Sequence, residues 1–292
     1  MADIVVGVDG SDGSAHALRF AVAEGALRGW DVQAVLAWGF LDQHHPSTMH
    51  EFDPGYVAAD AEAALRSYVE AAVGAEAATR IDLRAVSDLP VRALEQASKR
   101  AALLVVGARG LGGFGGLLLG SISQACLRHA LCPVAVIRPP SADEPSAQSS
   151  RVVVGIDGSP TAHEALVWAI GEAVARHAQL EVVHAWQPPF IGGYPFTAAA
   201  VDYTMFEDAA SSLMDHALAA VDCSSLEQPP ERTILCAGAA SALLDAADRS
   251  DLVVVGTRGL SGLHRLLVGS VSHQVATHAH RPVVVVPPPP ED

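Results

Sequence analysis

The chain has 292 residues, of which half are hydrophobic and only 17% are charged, and its formal net charge is −15. This composition is typical of folded domains with sizeable cores and excludes a disordered chain, while the acidic balance argues against nucleic acid as the main partner. No apolar run approaches the roughly 20 residues that span a bilayer, and the first ten residues resemble no signal peptide, so we expect a cytoplasmic protein without a membrane span.

Strands and helices are predicted in the same order in both halves of the chain. Residues 151–156 form a continuous apolar run typical of a buried strand, and apolar residues then recur at helical spacing through 166–174, as they do through 18–26 in the first half. The later predicted strands, paired between the halves, are 32–38 and 180–186, 81–86 and 232–237, 103–106 and 252–255, and 134–137 and 283–286. The later predicted helices include 56–73 and 204–221, and 91–99 and 240–248. This alternation indicates an α/β fold with a parallel, doubly covered sheet in each half.

The two halves are also related by an internal repeat. The segment IVVGVDG at 4–10 recurs as VVVGIDG at 152–158, an offset of 148, and later motifs recur at an offset of 149. A repeat of this length indicates two whole domains rather than a solenoid. We predict five-stranded domains at 1–140 and 151–292, joined by a polar linker, SADEPSAQSS, at 141–150.

A glycine loop follows the fourth predicted strand of each half. Both copies read Gly-x-x-Gly, then nine residues, then Gly-Ser, at Gly107, Gly110, Gly120 and Ser121, and at Gly256, Gly259, Gly269 and Ser270. Glycine lets the backbone approach a ligand closely, and a Gly-Ser pair that opens a helix presents free N–H groups to an anion. A turn that merely connects a strand to a helix is the alternative, and the repeated spacing favours a phosphate site in each half.

An aspartate ends the first predicted strand of each half. Asp9 and Asp157 would meet the glycine loops at the carboxyl edge of the sheet if the first and fourth strands are neighbours. Such a carboxylate accepts hydrogen bonds from a ribose hydroxyl or a base amine, or helps to hold a metal. The alternative is a helix cap, because Asp-Gly-Ser precedes a predicted helix in both copies.

With these motifs in both halves, the chain resembles a tandem universal stress protein. That family has an open, Rossmann-like five-stranded fold, and its ATP-binding members carry the Gly-2x-Gly-9x-Gly-Ser/Thr pattern quoted above. The resemblance implies one ATP site per domain. In the first domain the implied contacts are Asp9, Ala37, Val106, Gly107, Arg109, Gly110, Gly120, Ser121, Ile122 and Ser123. In the second domain they are Asp157, Ala185, Val255, Gly256, Arg258, Gly259, Gly269, Ser270, Val271 and Ser272. The serines are expected to lie against the phosphates, and Mg²⁺ is expected to bind through the phosphates.

The expected function is that of an ATP-binding regulator of stress, dormancy or growth state. No residue in these motifs is assigned as the base that ATP hydrolysis requires, so we expect at most slow ATPase activity. A slow ATP hydrolase and a scaffold that binds no nucleotide are the alternatives. The regulated protein is not identified by any motif.

Association is predicted from the fifth strands. Residues 134–137 and 283–286 are short, strongly apolar and bounded by prolines, and an apolar strand left at a sheet edge would invite aggregation. The resemblance implies that these strands pair between domains, which a two-domain chain achieves internally. It also implies a homodimer of the whole chain, with up to four nucleotide sites.

The cysteines, the histidine clusters and the long loops have simpler interpretations. The four cysteines show no Cys-x-x-Cys spacing, so we expect reduced and mostly buried thiols. Cys126, His129 and Cys132 are expected to be helix-face and core residues, and no metal site is predicted there or among His273, His278 and His280. The long loops at 42–53 and 188–200 are either lids or variable surface. His264 and Arg265 in the second glycine loop either tighten triphosphate binding or form a solvated pair.

Overall fold

The computed structural model describes residues 3–39, 42–44, 53–111, 118–139, 150–188, 203–259 and 268–289. Within these ranges ten strands alternate with nine helices. The strands are β1 (Ile4–Gly7), β2 (Val32–Trp38), β3 (Ile81–Ser87), β4 (Leu103–Gly107), β5 (Val134–Ile137), β6 (Arg151–Gly155), β7 (Gln179–Trp186), β8 (Glu231–Cys236), β9 (Leu252–Gly256) and β10 (Val283–Val286). The helices are α1 (Asp12–Arg28), α2 (Ala58–Val73), α3 (Ala75–Ala78), α4 (Pro90–Ser98), α5 (Ser121–His129), α6 (Pro160–Arg176), α7 (Thr204–Ala219), α8 (Ala239–Ala247) and α9 (Ser270–His278).

All ten strands belong to one sheet, in the order β3-β2-β1-β4-β5-β10-β9-β6-β7-β8. The five strands of each half are parallel, and the halves meet where β5 and β10 pair antiparallel, with Val284 opposite Ala135. The predicted α/β class with two parallel five-stranded units is therefore confirmed, and the fifth strands cover each other within one chain. Pairing removes two apolar edges that would otherwise face solvent.

The sheet is covered by helices on both faces. One buried cluster joins β-strand residues to α1, α2, α6 and α7, and a second joins alternate strand residues to α4, α5, α8 and α9. Strand β1 lies between β2 and β4, and β6 lies between β7 and β9, so the strand order reverses beside β1 and β6. Crevices at such positions, beyond the carboxyl ends of the strands, are where ligands bind in open α/β sheets.

Predicted and observed elements differ in small ways. Helix α3 was not predicted, because four residues after Gly74 are too few to show helical periodicity. Cys126 and Cys132 are buried as expected, and burial raises the pKa of both thiols to about 12. The expectation is wrong for Cys236, which is exposed at the end of the outer strand β8. The predicted linker lies outside the described residues apart from Ser150.

The halves also meet through helices α1 and α6. Glu24 and Arg28 on α1 face Glu172 and Arg176 on α6, and each arginine bonds to a glutamate of its own helix and to one of the other helix. Both carboxylates are at most 2% exposed. Burial, followed by the charge of Glu172, raises the pKa of Glu24 to about 7, although Arg176 and Arg28 oppose the shift.

Candidate functional site

The carboxyl edge of the first five strands forms a cavity of about 520 Å³. It lies between the ends of β1, β2 and β4 and the start of α5. All ten residues that the sequence singled out in this half line it, namely Asp9, Ala37, Val106, Gly107, Arg109, Gly110, Gly120, Ser121, Ile122 and Ser123. The fold thus brings together residues that are up to 114 positions apart, from Asp9 to Ser123.

The second half repeats the cavity at the corresponding place, with a volume of about 280 Å³. Its lining contains all ten residues singled out there: Asp157, Ala185, Val255, Gly256, Arg258, Gly259, Gly269, Ser270, Val271 and Ser272. The first cavity includes two residues of the segment after β2, whereas the segment 189–202 after β7 lies outside the described residues. His264 and Arg265 also lie outside them.

Helices α1 and α6 begin with a side-chain cap, whereas α5 and α9 do not. The N-cap residues of α1 and α6 are Ser11 and Ser159, and each side chain accepts a hydrogen bond from a first-turn N–H group. Helices α5 and α9 follow Gly120 and Gly269, which have no side chain to serve as a cap. The first N–H groups of a helix have no partner within the helix, so those of α5 and α9 are available at the cavities. Ile122 and Val271 lie in these first turns, so each presents a backbone N–H group there regardless of its side chain.

Asp9 holds two loops of the first site together. Its Oδ1 accepts hydrogen bonds from the N–H of Ser11 at 3.0 Å and from its hydroxyl at 2.6 Å, and its Oδ2 accepts one from the N–H of Leu111 at 3.1 Å. Asp157 repeats the first contact, with Oδ1 3.0 Å from the N of Ser159. The N-caps are thus the following serines; both aspartates stabilise the turn before the helix, and Asp9 also contacts the glycine loop.

Gly110 and Gly259 leave room for those carboxylates. A Cβ atom at either position would lie less than 3.0 Å from Oδ2 of Asp9 or Asp157, respectively. A side chain at the second glycine of each motif would therefore displace the aspartate. This role was not predicted, because these glycines were expected to allow close approach of a ligand.

The hydroxyls of Ser123 and Ser272 make hydrogen bonds inside the protein. The Ser123 hydroxyl donates to the carbonyl oxygen of Gly107 at 2.6 Å, and the Ser272 hydroxyl is 3.0 Å from those of Thr257 and Gly269. Both side chains are buried. These hydrogen bonds hold the start of each helix against the end of the preceding strand. They do not use the first-turn N–H groups of the helices.

An arginine belongs to the lining of each cavity. Arg109 lines the first cavity and Arg258 the second. The backbone of Arg258 is held in place, because its carbonyl oxygen accepts hydrogen bonds from the hydroxyls of Thr161 and Ser159. Burial and the charge of Arg109 lower the pKa of Arg138, whose guanidinium donates to the Ala276 carbonyl at 3.0 Å.

His44 lines the first cavity although it was not among the predicted site residues. It is 6% exposed and places Nε2 3.0 Å from the carbonyl oxygen of Ala37. The long loop after the second strand was recognised, but nothing in its sequence distinguished this histidine from His45 or His50. Its position depends on contacts with residues from other elements.

No group of three potential metal-binding side chains comes together in the described part of the chain. Cys126 lies in the buried cluster beneath α5. None of the described helices combines the length and apolar character needed to cross a bilayer.

Residues 1–138 and 149–287 each match the universal stress protein family. Universal stress protein Rv2005c of Mycobacterium tuberculosis is 32% identical to this chain over 290 residues, covering 97% of this chain and 96% of that protein. Universal stress protein Rv2623 of the same organism is 31% identical over 287 residues, covering 97% and 95%. The crystal structure of a universal stress protein from Archaeoglobus fulgidus shares the fold, with a TM-score of 0.68 at 20% identity and 97% of both chains covered. The chain therefore belongs to the universal stress protein family.

Proposed function

We propose that the protein is a regulator that binds one ATP in each half. The observation that carries this proposal is the pairing, in both cavities, of an uncapped helix N-terminus with an arginine. Helices α5 and α9 offer backbone donors and a positive dipole end to a polyphosphate. The other end of each cavity suits a base, because it is lined by apolar strand and helix residues such as Val106 and Leu94, and Val255 and Leu243.

The residues present fit a nucleoside triphosphate better than a smaller anion. The first cavity, at about 520 Å³, lies within the range of roughly 300–1,000 Å³ that is usual for small-molecule sites, and the second, at about 280 Å³, lies just below it. Asp9 and Asp157 lie between the phosphate and base ends, where a carboxylate is placed to accept from a ribose hydroxyl. Mg²⁺ would bind mainly through phosphate oxygens, since Ser123 and Ser272 already donate to carbonyl groups.

The cavity lining supports ATP binding without rapid hydrolysis. Hydrolysis requires a group that orients or deprotonates the attacking water next to the terminal phosphate. Beside the starts of α5 and α9 the described lining offers glycines, serines and an arginine. The carboxylates of Asp9 and Asp157 lie toward the proposed ribose position and accept hydrogen bonds from Ser11 and Ser159.

The proposed setting is the cytoplasm, where the ATP level would set the fraction of filled sites and a regulated protein would respond to it. We further propose a homodimer with four nucleotide sites. Since β5 and β10 pair with each other inside one chain, this dimer must use another surface.

Proline substitution at the first residue of α5 tests the proposal. Ser121→Pro deletes one N–H donor, while the φ of −73° and ψ of 157° at Gly120 are those a residue before proline prefers. The chain already has proline at the first position of α4 and α6. Loss of one charge-assisted hydrogen bond should weaken ATP binding at the first site by about tenfold or more. Isothermal titration calorimetry measures this loss.

Ser121→Ala is the matched control, because it removes the hydroxyl and keeps the N–H group. It should bind ATP nearly as well as the native chain, and both variants should keep the native melting temperature within a few degrees. Ser270→Pro and Ser270→Ala repeat the comparison at the second site. Equal affinities for the proline and alanine variants, or a native protein that binds no ATP, would refute phosphate binding at these helix ends.

A further inference from the structure

His44 is held rigidly at the edge of the first cavity. Its backbone N–H donates to the hydroxyl oxygen of Tyr56 at 3.2 Å, and that hydroxyl donates to the His44 carbonyl at 2.7 Å. Its ring lies edge-on to Tyr68, with centroids 6.5 Å apart and planes at 80°. Backbone and ring are therefore fixed by two aromatic residues of the α2 region.

The hydrogen bond to Ala37 fixes the tautomer of this histidine. A carbonyl oxygen only accepts hydrogen bonds, so Nε2, 3.0 Å from the Ala37 oxygen, carries the proton. In the neutral ring Nδ1 is then an acceptor. This nitrogen is buried and has no hydrogen-bond partner among the described residues. An unpaired buried acceptor costs about 1–3 kcal/mol, which points to a donor that arrives with a ligand.

The neighbours of His44 belong to the base end of the cavity. Ala37 is the residue before the last one of β2, and Val35, Leu94 and Val106 give this end an apolar lining. The uncapped start of α5 lies on the other side, at Gly120 and Ser121. A purine held here with its phosphates at α5 would have its edge, rather than its ribose, near the imidazole.

We propose that His44 is the specificity-determining residue of the first site and that its Nδ1 accepts a hydrogen bond from the exocyclic amine of adenine. This inference rests on the proposed function. A 6-amino purine supplies the missing donor, whereas a 6-oxo purine opposes Nδ1 with a second acceptor. The first site therefore selects ATP over inosine triphosphate.

The second half provides an internal control. The sequence between β7 and α7, from Gln187 to Tyr203, contains no histidine. The second site therefore has no counterpart of this contact from the equivalent segment. Substitution of His44 should change base preference at the first site only.

The test compares ATP and inosine triphosphate in chains with one weakened site. Gly269→Asp places a carboxylate at the start of α9 and repels phosphate from the second site, and Gly120→Asp does the same to the first. In the Gly269→Asp chain we expect calorimetry to show binding of ATP about tenfold or more tighter than inosine triphosphate.

Two substitutions distinguish the role of Nδ1 as an acceptor from the hydrogen bond of Nε2 to Ala37. Glutamine at position 44 keeps a donor where Nε2 lies but places no acceptor at the Nδ1 position, whereas asparagine places its oxygen there. His44→Gln should reduce the preference for ATP to within about threefold of unity, and His44→Asn should retain more of it. In the Gly120→Asp chain neither substitution should alter the ratio.

Nitrogen NMR of the His44 ring gives a readout that does not depend on affinity. Nδ1 should resonate as an unprotonated nitrogen in the free protein and shift when ATP binds, but not when inosine triphosphate binds. ATP binding with an unchanged preference in His44→Gln would overturn the role of His44 and leave the proposed function intact. Failure of the native chain to bind ATP would overturn both.

Discussion

Two glycines of the first motif have different physical roles. Gly110 has no room for a side chain, because a Cβ would overlap Oδ2 of Asp9. Gly120 has an ordinary φ of −73°, and the nearest atom to an added Cβ is 3.4 Å away. The protein itself therefore requires glycine at 110, whereas at 120 the proposed reason is approach of the phosphate.

Gly110→Ala should destabilise the protein. The added methyl group must displace the Asp9 carboxylate and with it the hydrogen bond to Leu111, at a cost of about 1–3 kcal/mol. Chemical denaturation followed by circular dichroism measures this loss. Gly171→Ala on α6 is the control, since nothing lies within 4 Å of its added Cβ and alanine should stabilise a helix interior by about 0.5–1 kcal/mol. Equal stability of the two variants would contradict the clash.

At the scale of single elements, the starts of α5 and α9 forgo stabilisation that α1 and α6 receive. Ser11 and Ser159 cap their helices, and a side-chain cap is worth about 1 kcal/mol relative to alanine. The glycines before α5 and α9 leave the same donors without a side-chain cap. An anion that binds there supplies the missing partner.

Gly120→Asp should therefore change stability and binding in opposite directions. The carboxylate caps α5 and interacts favourably with its dipole, which should raise the free energy of unfolding by a few tenths of a kcal/mol to about 1 kcal/mol. The same charge should abolish ATP binding at the first site. Thermal unfolding and calorimetry on one sample measure both effects.

Gly120→Asn separates charge from shape in that experiment. Asparagine caps about as well as aspartate but adds no negative charge. It should stabilise α5 while weakening ATP binding less than aspartate does. Unchanged ATP affinity in the aspartate variant would mean that the phosphates lie elsewhere.

At the scale of the whole molecule, the contacts that join the halves include a strand pair and a cluster of charged side chains. The β5–β10 pair continues the sheet through the centre, and Glu24, Arg28, Glu172 and Arg176 join α1 to α6. The second contact places two carboxylates side by side in a buried position. Its stability must therefore depend on pH.

The contribution of Glu24 to stability should fall as the pH rises from about 4.5 to about 7. Glu24 has a pKa near 7 in the folded chain, above its ordinary value of 4.5, because burial and Glu172 disfavour its charge. A raised pKa stabilises the folded state fully below the unfolded pKa, and this contribution is lost as pH rises through the folded value. The loss should be on the order of 2 kcal/mol.

Denaturation profiles of Glu24→Gln at several pH values check this dependence. Glutamine cannot ionise, so the difference in unfolding free energy between native and variant chains should change over this interval. Glu62→Gln, at an exposed position, removes one charge elsewhere. Its unfolding free energy should change with pH in parallel with that of the native chain. A constant offset between Glu24→Gln and the native chain would show that Glu24 keeps its ordinary pKa.

The α/β class and the two-fold repeat could be predicted from the sequence, and the family resemblance named twenty of the residues that line the two cavities. Apolar periodicity and glycine spacing are local patterns, and they dictate where strands end and helices begin. Three contacts could be found only in the folded chain: Gly110 makes room for Asp9, Ser123 bonds to Gly107, and His44 lines the first cavity. These contacts join residues far apart in sequence or depend on the path of a loop, so their distances are set by packing across elements rather than by local pattern.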